Sequence, residues 1–156
     1  MNVAIDALNL AYWAGRLPTL RVALAVAAAL VERGDRPVMF LDATIRHRYP
    51  HEAAAAAALG AGGEGIVVAP GGVPADRLLL RHARDHDGVI LSRDHFRDHR
   101  RRFRRLIDDP VRRVEGCVAA DRVRVPALAI DAPLPISADA AWQGWLSAQR
   151  GAVGIP

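Results

Sequence analysis

The chain has 156 residues, 51% hydrophobic and 24% charged, which fits one compact folded domain and excludes intrinsic disorder. Its 21 basic residues outnumber 17 acidic ones and all are arginine, so a G-x-x-x-x-G-K-[ST] phosphate loop and the ATP-driven chemistry it supports are excluded. The longest apolar stretch, residues 22–31, is half the roughly 20 residues of a bilayer span.

Val3-Ala4-Ile5 is an apolar run stopped by Asp6, too short for a helix and without polar alternation, and predicts a central buried strand. Pro18 and Thr19 can open a helix whose apolar face, Leu17, Leu20, Leu24, Ala27 and Val31, recurs at spacings of three and four before Gly34 closes it. Residues 37–42 repeat the first pattern, an apolar run ending in a carboxylate, and predict a second strand. Six alanines within 51–59 suit a helix, 66–69 a third strand, 74–86 a helix and 88–92 a fourth strand. Strands alternating with helices predict an α/β sandwich, with a mostly parallel sheet, right-handed crossovers and helices on both faces.

Beyond the fourth strand the sequence predicts an arginine-rich helix near 99–107, a weak extended pair over 112–130 and a helix over 137–149. All of it is expected to belong to a single domain, 1–156, with its core in about 1–135. Trp13, Trp142 and Trp145 are read as core; were they exposed, they would serve a homodimer interface. One cysteine, Cys117, makes neither an internal disulfide nor a multi-thiolate zinc site, which points to a reducing cytoplasm. The opening MNVAIDAL lacks the basic and apolar regions of a secretory signal, so the mature chain is expected to start at Met1.

Carboxylates gather where the predicted strands end: Asp6, Asp42 and Asp94, with Asp98 four residues on and Asp76 opening a helix. Ligands of open parallel sheets bind outside the carboxyl ends of the strands, where the strand order reverses. Two unit charges about 5 Å apart repel by roughly 3 kcal/mol at an effective dielectric near 20, so converging acids require something positive between them. Hard divalent cations held through carboxylate oxygen, Mg²⁺ or Mn²⁺, answer that requirement and suit phosphodiester cleavage. Asp is also common at helix caps and turns, the competing explanation for each acid singly and strongest for Asp76. Asp35, Asp85, Asp87, Asp108 and Asp109 are assigned to solvent or turns. Asn9, three residues past Asp6, is placed to orient a carboxylate or a scissile phosphate.

Seven arginines, Arg93, Arg97, Arg100, Arg101, Arg102, Arg104 and Arg105, fall within thirteen positions and interleave with Phe96 and Phe103. Guanidinium forks bind phosphate bidentately, so a basic stripe beside an acidic cluster predicts an anionic nucleic-acid strand as partner and a nuclease as function. A solvated helix face is the simpler alternative. Gly60 to Gly65 fits G-x-G-x-x-G but follows a helix and precedes a strand, the reverse of a dinucleotide site. His82 with His86, and His95 with His99, share the spacing of one helix face but lack a third zinc ligand.

These residues resemble the NYN ribonucleases of the PIN-like superfamily, above all the Regnase-like catalytic domain. Val3-Ala4-Ile5-Asp6-Ala7-Leu8-Asn9-Leu10-Ala11 is similar to the opening I-D-G-S-N-V-A motif, and Asp76-Arg77-Leu78-Leu79-Leu80 to D-D-R-x-I-L. Residues Asp87 to Asp98 are similar to D-G-I-I-V-S-N-D-x-[YF]-R-D. With Arg122-Val123-Arg124-Val125-Pro126 the likeness spans roughly 1–135. The resemblance implies a PIN-like Rossmannoid three-layer sandwich and a Mg²⁺- or Mn²⁺-dependent endoribonuclease acting on single-stranded RNA. Asp6, Asp76, Asp94 and Asp98 would surround the metal, Asn9 would support Asp6, and Arg93, Arg97, Arg100, Arg101 and Arg104 would hold substrate. Ala75 stands where the family commonly has another Asp, Arg93 where it often has Asn, and Ala7 where it often has Gly. Those departures keep open an alternative, a catalytically weak or inactive RNA-binding or assembly module of the same fold. A toxin-like nuclease with an antidote partner is a third reading, which chain size alone permits.

Overall fold

A computed structural model describes residues 1–60 and 65–152. Five strands form a parallel sheet: β1 (Asn2–Asp6), β2 (Arg36–Leu41), β3 (Ile66–Val68), β4 (Val89–Leu91) and β5 (Arg113–Val114), in the order β3-β2-β1-β4-β5. β1 is central, as its unbroken apolar run predicts. The order reverses there: β1 is followed by β2 on one side and pairs with β4 on the other.

Both faces of the sheet are covered, and the two-residue period of the strands sorts side chains between them. Val3, Ile5, Met39, Leu41, Val89 and Leu91 enter one core with the helix α2 (Arg21–Glu32) and the closing helix α7 (Ala138–Ala152). Ala4, Phe40 and Ile90 enter the other, against α5 (Ala75–Asp85) and α6 (Arg100–Ile107). The result is a three-layer α/β sandwich. An antiparallel meander, β6 (Cys117–Ala119), β7 (Arg122–Val125) and β8 (Ile130–Pro133), adds Val123, Val125 and Ile130 to the α2 side.

The extended pair expected over 112–130 is therefore two different things, a last parallel strand and a separate three-stranded sheet. Three short helices complete the chain: α1 (Ala7–Leu10), α3 (Ile45–Arg48) and α4 (Pro50–Gly60). The first two lie below the length at which periodicity is visible. The α2 helix starts at Arg21 rather than at Pro18, and Leu17, expected on its buried face, is 87% exposed. Its far end agrees with the sequence: Gly34 sits at φ +85°, the left-handed geometry that closes a helix and favours glycine. The glycine pattern beginning at Gly60 runs through 61–64, outside the described residues. Among the described residues no helix is long and apolar enough to cross a membrane.

Trp13, Trp142 and Trp145 are all buried. Trp145 is 1% exposed, and its ring lies so close to Gly65 that a Cβ there would come within 2.7 Å of it. Truncating such an indole removes its transfer energy and leaves a cavity, a cost of about 3–5 kcal/mol. Trp145→Ala is therefore expected to lower the urea midpoint in one cooperative transition. A midpoint within error of wild type would place α7 outside the core.

Candidate active site

Each acidic side chain at the carboxyl edge of the sheet is positioned by an identifiable local device. Asp6 ends β1 and caps α1: its Oδ1 accepts from the backbone N–H of Asn9 at 3.1 Å. Its Oδ2 accepts from the Ser92 hydroxyl at 2.7 Å, across the β1–β4 junction. Ser92 Oγ in turn accepts from the N–H of Asp94 at 3.0 Å, and Asp94 Oδ1 from the N–H of Phe96 at 3.0 Å. Phe96 adopts left-handed geometry, φ +46°, a local cost offset by burying its ring to 2% exposure in the α5–α6 core. That anchor turns the loop back over the sheet and keeps Asp94 exposed at the rim.

Asp42, at the end of β2, does not lie free: its Oδ1 accepts from the N–H of Ala75 at 2.9 Å, capping α5 and setting Asp76 in the first helical turn. Asp98 is exposed on a 3₁₀ turn, Arg97–His99, that leads into α6. A cavity of about 380 Å³ is lined by Asp76, Asp94, His95, Phe96, Arg97, Asp98 and His99. A second, of about 570 Å³, shares Asp98 and His99 with it and adds Pro74, Arg77, Arg101, Arg102 and Phe103.

The acids share one field. Asp6 is only 9% exposed, and burial pushes its carboxyl up to about 6; the Ser92 and Asn9 hydrogen bonds oppose the shift, while Asp76 and Asp94 add to it. Asp76 is also pushed up, first by burial, then by Asp94, Asp42 and Asp98, with His99 pulling the other way. Yet among the described residues no three His, Cys, Asp or Glu side chains gather tightly enough to grip one ion together. Asp6, Asp76, Asp94 and Asp98 thus form a shared anionic rim rather than a closed ligand cage. An all-oxygen rim of that kind suits Mg²⁺, which keeps several waters and takes one or two carboxylates directly.

The substrate side differs from the sequence expectation in particular ways. Arg93 is spent internally, with Nε and Nη2 donating to the Gly116 carbonyl at 3.1 and 2.7 Å and the guanidinium 4.6 Å above the Trp13 ring. Arg100 and Arg104 converge on Asp108 Oδ2, at 2.9 and 3.4 Å, so the acid assigned to solvent balances two of the arginines assigned to RNA. Arg97 lines the first cavity and Arg101 and Arg102, from the same arginine-rich stretch, line the second, where Arg77, which the basic stripe did not include, joins them. Asn9 supports Asp6 through its backbone N–H; its side chain is engaged elsewhere. Ser92 was also missed, although a hydroxyl directly after a buried strand and two residues before Asp94 was a signal available in the sequence.

A parallel sheet of this order, flanked by helices on both faces, is that of a PIN-like fold. The model of the Zc3h12a-like ribonuclease NYN domain matches residues 1–124 of the 156, and the chain belongs to that family. A search of curated proteins found no match. The matched span ends within β7, short of β8 and α7.

The Asp6 geometry sets a pH dependence of stability. Its folded value, about 6, lies above the ordinary 3.8, so the folded chain holds an extra proton between those values and stability falls as pH rises through them. The full loss is about 3 kcal/mol in metal-free protein. Asp6→Asn keeps both hydrogen bonds, with Ser92 reversing to accept, and removes the charge. In EDTA it is expected to be more stable than wild type at pH 8 and to lose that margin by pH 4. Parallel urea titrations with a constant difference would contradict this.

Proposed function

We propose that the chain is a Mg²⁺- or Mn²⁺-dependent endoribonuclease that hydrolyses single-stranded RNA. The observation that carries this reading is the burial of the Asp6 carboxylate within the field of Asp76 and Asp94, which themselves line a cavity shared with Asp98 and Arg97. Like charges held together at a cost to folding are typical of a site organised for a cation and a reaction rather than for stability.

Asp6, Asp76, Asp94 and Asp98 would hold the cation, which supplies activation of a water and neutralisation of charge at the leaving oxygen. The chain's own contributions are separable. Ser92 and Asn9 fix both oxygens of Asp6, so the carboxylate keeps one orientation through the reaction. Arg97 at the first cavity and Arg77, Arg101 and Arg102 at the second offer guanidinium forks to successive phosphates.

A second reading, an RNA-binding module without turnover, is favoured by Ala75, which offers a methyl where related domains commonly carry a further Asp, and by the open arrangement of the rim. The two readings separate in one assay. Asp6→Asn and Asp94→Asn are each expected to cut cleavage of a labelled single-stranded RNA at least about 100-fold, as is EDTA, while binding persists. Tight binding by wild type with no product in Mg²⁺ or Mn²⁺ would favour the second reading. Unchanged rates in both variants, with contaminating nuclease excluded, would refute the first.

The arginine cavity has its own signature. Contact with about three phosphates of a single strand gives a salt slope near −2, so binding should weaken roughly sixteen-fold from 50 to 200 mM salt. Replacing Arg101 or Arg102 with Gln should flatten that slope by somewhat under one. Replacing Arg100, held by Asp108, should change it less.

A further inference from the structure

Resting on the ribonuclease reading, we propose that Trp13, Arg93 and Gly116 form a clamp on the Asn9 side chain, holding its amide so that Nδ2 donates to a non-bridging oxygen of the scissile phosphate. Trp13 is thereby a positioning residue, acting through Asn9.

Asn9 Oδ1 accepts two hydrogen bonds, from the Trp13 indole Nε1–H at 3.1 Å and from the backbone N–H of Arg93 at 3.0 Å. Indole and backbone N–H groups only donate, so the atom facing them has to be the amide oxygen; the flipped amide would set donor against two donors. Chemistry therefore fixes the orientation. With both lone pairs of Oδ1 used, the two N–H bonds of Nδ2 are left, and no described residue accepts from them. Asn9 is half-buried, and its backbone N–H holds Asp6 Oδ1. One residue thus sets the direction of the buried carboxylate and of a neighbouring neutral donor.

The clamp is itself held from behind. Trp13 is 7% exposed, and the Arg93 guanidinium 4.6 Å above its ring is pinned by two hydrogen bonds to the Gly116 carbonyl. A Cβ on Gly116 would come within 2.8 Å of the ring, so this approach admits only glycine. Two stretches of chain, the turn after α1 and the loop after β4, meet on a single amide oxygen, and a third, the link from β5 to β6, backs them through the Arg93 guanidinium and the Trp13 ring. Packing alone needs no such convergence of donors, since an apolar ring would fill the same space. An amide donor suits a phosphate oxygen: it stabilises negative charge without contributing a charge that would compete with a cation at the rim.

The test is a double-mutant cycle between Trp13→Phe, which keeps a ring and deletes the donor, and Asn9→Ala, measured on single-stranded RNA in Mg²⁺ after thermal melting has verified folding. Trp13→Phe alone is expected to lower kcat about five-fold, the worth of one hydrogen bond, with KM changed less than about two-fold. In the Asn9→Ala background it should have no further effect. Arg93→Met, which releases the Gly116 latch and leaves Trp13 in place, should give a smaller loss that is equally silent in that background, and it serves if Trp13→Phe does not fold.

A second measurement is independent of turnover. In a ¹H–¹⁵N spectrum a phosphorothioate single-stranded oligonucleotide should move the Asn9 side-chain amide signals in wild type and move them less in Trp13→Phe. Asn9→Ala should shift the Trp13 indole signal. Losses that multiply independently in the cycle, or Asn9 amide signals indifferent to the oligonucleotide, overturn the proposal. A wild type that moves those signals without cleaving RNA refutes the ribonuclease reading and leaves the clamp standing as a device for binding phosphate.

Discussion

The arrangement at the rim depends on one buried charge. Asp6 sits at the carboxyl end of the central strand, where two parallel neighbours and two helical layers have already excluded most of the water. A hydroxyl from β4's exit and an N–H from α1, aimed at its two oxygens, offset part of the cost of ionising it there. The same two contacts order the surroundings. Ser92 passes the chain of hydrogen bonds to Asp94, and Asn9 passes it to Trp13 and Arg93. The direction of the rim acids is thus inherited from the strand pairing of β1 with β4.

That dependence explains which parts of the molecule were legible beforehand. The central strand, the run of strand and helix through residue 107 and the acids at strand ends follow from local patterns, because apolar runs and their polar stops are dictated by the two-sided burial of a parallel sheet. The tryptophans were legible for a similar reason, since large indoles at helical spacing have few places to go. The short helices α1 and α3 were not, being single turns whose existence is decided by caps and tertiary contacts rather than by periodicity. Leu17 illustrates the same limit: its spacing fits the apolar stripe of α2, but the helix begins four residues later and the side chain never joins it.

Charges were the least legible feature. The density of arginine after β4 is plain in the sequence, but the partner of each arginine is not. Asp108, eight residues beyond Arg100 and four beyond Arg104, takes both. Arg93, which by position beside Asp94 looked like a substrate ligand, is turned away by an aromatic ring eighty residues earlier in the chain and a carbonyl twenty-three residues later. In the other direction, Arg77 comes beside Arg101 and Arg102 only because α5 and α6 pack side by side. Burial and strand register can be read from neighbours in sequence; the pairing of long, flexible cations depends on which helices meet.

The outer layer on the α2 side carries a practical consequence. The α2 helix is nearly all apolar, with eight of its twelve residues buried, because it is enclosed by the sheet on one flank and by α7 on the other. The family match stops before α7 begins. A fragment trimmed to the conventional boundary would strip the cover from Trp145's side of α2 and offer solvent a broad oily flank, which invites self-association. Preparations meant for titration or crystallography are therefore best carried through residue 152.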